Sequence, residues 1–268
     1  MDIKEYSYNI QKKSGIFADL VSVSKSLLFT HEIAREAKEY LLSRMFKNIP
    51  GFIFGYFPSN DNLHLLYENK ILKQEDLEKV GVVYTKYIFD GGFPQKTNTS
   101  IMSNHNLIMP YKNLYGDIIG IVGRTLIPNY EELKISKYKN STLSKGLNLF
   151  GFYNAKKEIL NKDTVILVEG QFDCITCHRY GIKNVVAIGG TSFTKFHLFM
   201  ILRYTNNIIL LLDNDGPGIA ASERIIKLNE MYGSPAIIKS VCVPQEYKDI
   251  DEFFVKDNDV AIRFMKSI

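Results

Sequence analysis

The chain has 268 residues, a net charge of +4, 46% hydrophobic and 23% charged residues, values that fit a globular protein with a sizeable core in one large domain or two small ones. No apolar run approaches a membrane span, and MDIKEYSYNIQKKSG has no charged flank, apolar stretch and cleavage site in series, so neither membrane insertion nor secretion is expected, and a cytoplasmic location is. Three cysteines, Cys174, Cys177 and Cys242, are too few for a disulfide framework and lack the second pair that a structural zinc site needs.

In chain order, residues 16 to 47 carry apolar side chains at helical spacing through Ile16, Leu20, Val21, Ile33, Ala34, Ala37, Leu41 and Leu42, with Thr30 placed as a helix cap. From about 50 to 110 the pattern breaks into pieces rich in Gly, Pro, Asn and aromatics, which predicts small strands, a short helix near Glu75 to Lys79, and loops. Leu107 to Pro110 and Asp117 to Arg124 flank the turn signal Asn113-Leu114-Tyr115-Gly116 and predict an antiparallel hairpin. The lysine-rich segment 134 to 145, with Lys137-Tyr138-Lys139-Asn140, mixes cations, an aromatic and an amide, a set that suits phosphate and base contacts. By composition alone it reads as a solvated loop.

Beyond residue 160, apolar runs at Thr164 to Val168, Val185 to Ile188, Ile208 to Leu212 and Ala236 to Val243 alternate with segments of helical length. That rhythm predicts crossover units on a largely parallel sheet. The expected architecture is α/β: an α+β subdomain over residues 1 to 160, then an α/β subdomain over 161 to 268. The helix after Asp215 has Pro217 in its first turn and a stop at Gly233. Cys174-Ile-Thr-Cys177-His178 matches the short haem-attachment pattern, but that chemistry goes with export. Two buried cysteines on a helix is the better reading.

Two of the buried runs end directly in acid: Val168 leads into Glu169-Gly170, and Leu212 into Asp213-Asn214-Asp215-Gly216. In open α/β sheets ligands sit beyond the carboxyl ends of the strands, so both motifs are expected at one rim, within reach of Asp249 and Asp251. Gathered carboxylates repel one another unless a cation offsets them, and oxygen-only ligands select Mg²⁺ or Mn²⁺. Magnesium commonly shares its coordination with substrate phosphates, which points to a nucleotide or a nucleic-acid backbone. Each motif alone has a plainer explanation, since Asp213 and Asp215 suit a turn and a helix cap, and Glu169-Gly170 suits a strand-to-loop corner. An EF-hand is excluded because Arg224 occupies the position where the bidentate Glu belongs.

Taken together these residues resemble the Toprim domain, with its strand ending in Glu-Gly and a later strand ending in Asp-x-Asp. Glu169-Gly170-Gln171-Phe172-Asp173 is similar to the Glu-Gly-Tyr-Met-Asp of bacterial DnaG-type primases, Gly190-Thr191-Ser192 to their Gly-Thr-Ser, and Asp213 to Ala221 to their Asp-x-Asp-x-Ala-Gly-x-x-Ala. Upstream, Met109 to Arg124 resembles the primase hairpin ending in Gly-Phe-Gly-Gly-Arg. Lys137-Tyr138-Lys139-Asn140-Ser141 resembles Lys-Tyr-Leu-Asn-Ser, and Ser144-Lys145-Gly146 the following Lys-Gly. Tyr40 to Arg44 and Gly55-Tyr56 extend the likeness toward the N-terminus, so it runs colinearly from about residue 30 to 260.

The resemblance implies a primase catalytic core that joins ribonucleoside triphosphates into short RNA primers on single-stranded DNA by two-metal nucleotidyl transfer. It implies that Glu169, Asp213, Asp215, Asp249 and Asp251 hold metal, with Glu169, Asp213 and Asp215 catalytic and Asp173 supporting. Arg124, Lys137, Tyr138, Asn140 and Lys145 are assigned to template and nucleotide. Partners follow from the same likeness: a replicative helicase, or a separate zinc-binding factor that recognises template.

One departure stands out. Where the family has Arg-x-Arg before the hairpin strand, this chain has Asn104-His105-Asn106. With no zinc-module cysteines either, the expectation is an excised core or a compact, phage-type primase that depends on partners to initiate. A Toprim nuclease or topoisomerase-like enzyme would use the same acids, and a non-enzymatic binder of single-stranded DNA would keep only the fold. A dehalogenase-type phosphatase is disfavoured by Pro217.

Overall fold

Apolar side chains at helical spacing from Ile16 to Leu28 gather into one long helix, α1 (Ile3–Thr30), in a computed structural model that describes residues 3–46, 48–90, 93–190 and 192–268. Thr30 therefore ends a helix rather than starting one. Its hydroxyl donates to the Ser26 carbonyl one turn back, and His31 caps the short helical turn that leads into α2 (Arg35–Ser43).

The chain divides into two units, the first formed by residues 1–48, 52–111 and 117–143, the second by 49–51, 112–116 and 144–268. Unit one places α1 against a four-stranded sheet of β1 (Gly55–Tyr56), β4 (Leu107–Lys112), β5 (Ile118–Arg124) and β6 (Tyr138–Asn140), in the order β1-β4-β5-β6. Leu107 to Met109, Tyr111, Ile121 and Val122 are buried on its two faces, and burial of such side chains is what holds helix to sheet. The segment expected as a solvated loop contains β6, which pairs Lys139 with Gly123. Two ladder registers beside it fix Asn140 opposite Val122 and Tyr138 opposite Arg124.

Between α3 (Gln74–Lys79) and β4, where small strands were expected, lies a longer paired feature than composition suggested. β2 (Val83–Asp90) and β3 (Phe93–Ser100) form an antiparallel ribbon, although its polar, aromatic-rich sequence lacks clean alternation. Gly91 and Gly92 lie outside the described residues, as does Thr191.

Unit two is a parallel sheet in the order β10-β9-β7-β8, from β7 (Val165–Val168), β8 (Val185–Ala187), β9 (Asn207–Leu210) and β10 (Ile237–Ser240). Helices α5 (Gln171–Arg179), α6 (Lys195–Ile201) and α7 (Gly216–Met231) connect the strands. α4 (Phe152–Lys162) precedes them, and α8 (Ile250–Lys256) and α9 (Asn258–Ser267) close the unit. Phe152, Ala155 and Ile159 of α4 pack in one core with Val165, Leu167, Val186, Ile208 and Leu210. The unit accordingly takes in its main segment from Ser144, earlier than the boundary near 160 that the sequence suggested. Phe150 bridges Ala187 and covers part of the β8 edge. At the opposite edge β10 is largely exposed, with Ile237 at 68%, so its apolar run is an edge strand and not a core one.

β7 continues through α5 to β8 on one side, while β9 continues through α7 to β10 on the other. The connections diverge between β7 and β9, which pair side by side. Such a switch point opens a crevice beyond the carboxyl ends of the two strands. Both acidic motifs sit there.

Candidate active site

Three of the acids, Asp173, Asp215 and Asp249, are held at the start of a helix. Glu169 follows β7, and the Gly170 amide next to it donates to Asp173 Oδ2 at 2.9 Å, which turns the Asp173 carboxylate back toward the strand end. Asp215 caps α7 through the Gly218 amide at 2.9 Å, and Asp249 caps α8 through the Glu252 amide at 2.7 Å. A carboxylate at a helix N-terminus is favoured by the unpaired amides there. The plain capping explanation is thus correct for Asp215, and it coexists with a place in the cluster because that bond uses Oδ1 alone. Asp251 Oδ1 accepts from the Thr176 hydroxyl of α5 at 2.6 Å, and the Asn214 amide donates to the Lys248 carbonyl at 3.0 Å. These bonds draw the β7, β9 and β10 loops to one rim.

Gly218 is where the packing is tightest. A Cβ there would overlap the Asp213 carbonyl and come within 3.0 Å of Glu169 Oε1. Only a glycine lets the first turn of α7 approach both acids so closely.

The acids are poorly compensated. Asp213 is pushed up to about 7, chiefly by burial and then by the charges of Glu169, Asp249 and Asp215, with Lys248 offsetting in part. Asp173, 8% exposed, is raised well above the carboxylate range by burial and by Asp249, Asp251 and Asp213. Glu169 is raised by burial, which outweighs the lowering by the Asp213 amide. Its Oε1 is buried and takes no hydrogen bond among the described residues. Asp173, Asp249 and Asp251 bring one oxygen each within 4.8 Å of one another.

Buried like charges with an orphaned oxygen fit a hard divalent cation, and the all-oxygen donor set suits Mg²⁺ or Mn²⁺ over softer metals. Asp173, read from sequence as a support, stands in the tightest triad and so is itself a candidate ligand. Its position four residues beyond Glu169, on the first turn of the next helix, was the available signal. Sequence reasoning also passed over Lys248 and Arg224, whose charges lower the Glu169 carboxyl. Neither belongs to an acidic motif, and only the folded rim brings them near.

The residues assigned to template and nucleotide separate. Lys145 belongs to the acid-bearing unit, and its ammonium donates to the Gly189 carbonyl at 2.8 Å, while the Gly189 amide donates to the Glu169 carbonyl at 2.9 Å. Arg124, Lys137, Tyr138 and Asn140 lie in the other unit on β5, β6 and the residue preceding β6. Arg124 Nη1 donates to the Tyr138 hydroxyl at 2.8 Å, and its guanidinium lies over the Tyr40 and Tyr138 rings at 5.2 and 5.4 Å. Lys137 Nζ is 5.9 Å from the Tyr138 ring centroid. Asn140 Oδ1 is buried without a hydrogen-bond partner among the described residues.

Asn106, one of the two residues standing where arginines were expected, donates through Nδ2 to the Phe57 carbonyl at 2.8 Å. Its amide serves the fold, whereas Asn104 is exposed. Cys174 and Cys177 are fully buried, and His178 Nε2 lies 2.9 Å from the Val185 carbonyl. That disposes of haem attachment. Among the described residues no helix is long and apolar enough to cross a membrane.

Comparison with known proteins converges on the same elements. Residues 24–156 match the DNA primase catalytic core N-terminal domain, and residues 166–254 match a Toprim-like domain. A DNA primase of Aquifex aeolicus is 33% identical over 221 residues, 82% of this chain and 42% of that protein. One of Clostridium acetobutylicum is 32% identical over 273 residues, 99% of this chain and 40% of that protein. The chain therefore spans less than half the length of these relatives. Among solved structures, the Aquifex aeolicus primase, with its zinc-binding and RNA polymerase domains, superposes with a TM-score of 0.73 at 29% identity, covering 100% of this chain and 63% of that one.

Proposed function

Because the chain belongs to the family of DnaG-type primase catalytic cores, we propose that it makes short RNA primers on single-stranded DNA, transferring ribonucleotides from their triphosphates with Mg²⁺ bound at the acidic rim of unit two. The observation that carries this reading is the Asp213 carboxyl, raised to about 7 among Glu169, Asp249 and Asp215. A site that leaves its own acids so poorly compensated is built around a cation.

Asp213, Asp215, Asp249, Asp251 and Asp173 would hold metal facing the triphosphate of the incoming nucleotide. Glu169, with its unpaired buried oxygen, accepts the proton of the attacking 3′-hydroxyl or shares in the coordination. When bound, divalent metal polarises the reacting phosphorus and neutralises the pyrophosphate that departs. Lys145, half-buried and directed by its bond to Gly189, supplies a fixed cation at the same rim for phosphate. Its own pKa is lowered by burial, a state that an anionic partner reverses.

In the other unit, Arg124, lying over the Tyr40 and Tyr138 rings and bonded to the Tyr138 hydroxyl, presents a held guanidinium. Stacked aromatics and arginine suit the bases and phosphates of a single strand. Lys137, Tyr138 and Asn140 add to that contact. A replicative helicase or a separate template-recognition factor supplies what Asn104 and Asn106 do not.

The test is incubation of the chain with single-stranded template, ribonucleoside triphosphates and Mg²⁺. Short RNA products that vanish in Asp213→Ala and Glu169→Ala, both folded by circular dichroism, support the reading. Degradation of the DNA by the wild type, or binding without synthesis, overturns it.

A further inference from the structure

On the side of Glu169 formed by α7 and the loop after β8, unit two has an open cleft of about 380 Å³. Its apolar wall comes from Ile188, Phe193, Pro217 and Ala221, and its polar groups are Glu169, Ser192 and Arg224. Asp173, Asp249 and Asp251, the closest group of acids, do not line it. Glu169 thus stands between two different surroundings. One is a cluster of carboxylates that suits metal and a triphosphate, and the other is a mostly apolar slot with one guanidinium.

We propose that this cleft holds the 3′-terminal ribonucleotide of the growing primer, or the initiating nucleotide in the first step, with Arg224 binding its phosphate. The proposal rests on the primase reading above. Chain growth requires a terminal nucleotide and an incoming triphosphate on opposite sides of the reacting atoms, and both must be oriented. A triphosphate needs cations, which the acid cluster supplies through bound metal.

A terminal nucleotide presents something different: a flat apolar base, a ribose with hydroxyls, and a single bridging phosphate. Phe193, Ile188, Pro217 and Ala221 suit the base, and pockets of a few hundred Å³ with a few placed polar groups are the usual form for ligands of that size. The Ser192 hydroxyl suits the ribose. Arg224, which is exposed and whose charge already reaches Glu169, suits one phosphate through its planar donors. Glu169 at the end of the cleft then meets the 3′-hydroxyl that it is proposed to deprotonate. Arg224 is a binding and positioning residue here; it takes no part in the bond exchange, in which the 3′-oxygen joins the α-phosphorus and pyrophosphate leaves.

Two variants and two measurements test it. Arg224→Ala removes the phosphate contact, and Ala221→Phe fills the slot from α7 at a half-buried position beside the core, so its fold is checked by circular dichroism. In extension of an RNA-primed template, both are expected to raise the KM for primer-template about tenfold, the usual worth of a charge-assisted hydrogen bond. The KM for the incoming triphosphate stays within twofold, and Arg224→Lys recovers part of the loss.

Without triphosphates, anisotropy of the labelled primer-template reads binding directly, and the same variants weaken it by a similar factor. Loss of a 3′-terminal nucleoside contact makes the wild type equally weak on a primer ending in an abasic residue. If the triphosphate KM rises instead, the cleft holds the incoming nucleotide and the proposal is wrong. Unchanged anisotropy in both variants also overturns it. Should the wild type make no RNA while Arg224→Ala still weakens primer binding, the cleft assignment stands and the primase reading falls.

Discussion

Arg124, proposed for template, and Asp213, proposed for metal, are both buried in part, yet their surroundings are opposite. In unit one the guanidinium of Arg124 is already partnered, with the Tyr138 hydroxyl at 2.8 Å and aromatic rings of Tyr40 and Tyr138 near it. In unit two Asp213 is surrounded by Glu169, Asp249 and Asp215, and its charge is disfavoured. A strand that binds loosely and must slide suits a surface completed before it arrives. Transfer of a phosphoryl group needs a concentrated charge, and the protein provides only the negative half of it. On the proposed reading, the unit with the partnered cation is prepared for its ligand, whereas the unit with the acids would be completed by metal.

The comparison breaks most sharply at the acids. Asp213→Ala is expected to lower primer synthesis at least roughly a thousandfold, because a lost metal ligand removes several kcal/mol of charge stabilisation. It should do so while leaving the melting temperature in metal-free buffer unchanged or higher, since it relieves repulsion. A variant that loses activity only because it unfolds would show a lower melting temperature and defeat the argument.

Gly218→Ala probes how the rim is assembled. The added methyl meets the Asp213 carbonyl and Glu169 Oε1, so a loss of about 1–3 kcal/mol is expected from overpacking, measured by urea denaturation, together with weaker Mg²⁺ binding. A silent substitution would mean that α7 yields without disturbing the acids.

In unit one, Arg124→Ala should weaken single-stranded DNA binding by about 1–2 kcal/mol as a stacking cation is lost, and lower the slope of log K against log salt by roughly one. Arg124→Lys should restore the salt slope and not the affinity, because an ammonium lacks the stacking plane. If lysine restores both, the tyrosine stack is irrelevant to binding.

The smallest effect is the pH dependence of stability without metal. Asp213 has a folded pKa above its unfolded one, so its contribution is most favourable at low pH and is lost as pH rises through about 7. The melting temperature should fall between pH 6.5 and 8, Mg²⁺ should recover it at pH 8 more than at pH 6.5, and Asp213→Asn should flatten that limb. His178 acts in the other sense. Burial lowers it to about 4, so the stability it contributes is present above pH 6.5 and is lost as pH falls toward 4. A metal-free stability that rises from pH 6.5 to 8 would contradict the account of the rim.

What could be read in the sequence was whatever local pattern records. Apolar runs of strand length alternating with helical segments announced the parallel sheet, and the Glu169 and Asp213 motifs lay where such runs stop. Pro217 and the Asp215 cap marked the start of α7. Small strands were expected between 50 and 110, but their bounds and their pairing as the β2–β3 ribbon were not legible, because an exposed two-stranded element needs no alternating apolar face to betray it. Nor was β6, whose pairing to β5 rests on main-chain bonds that composition does not encode. The apolar run at β10 misled for a related reason, since exposure at a sheet edge depends on strand order.

By itself, then, the sequence determined the residue types of the rim, their attachment to strand ends and the absence of the two arginines at 104 and 106. Tertiary structure decided the rest. Strand order put the switch point between β7 and β9, which is why Glu169 and Asp213 became neighbours. The Gly170 and Thr176 bonds brought Asp173 and Asp251 into one triad. The turn of α7 carried Arg224 to a cleft that no motif marks. These are contacts between residues far apart in sequence, and burial fixes them only once the whole sheet has formed.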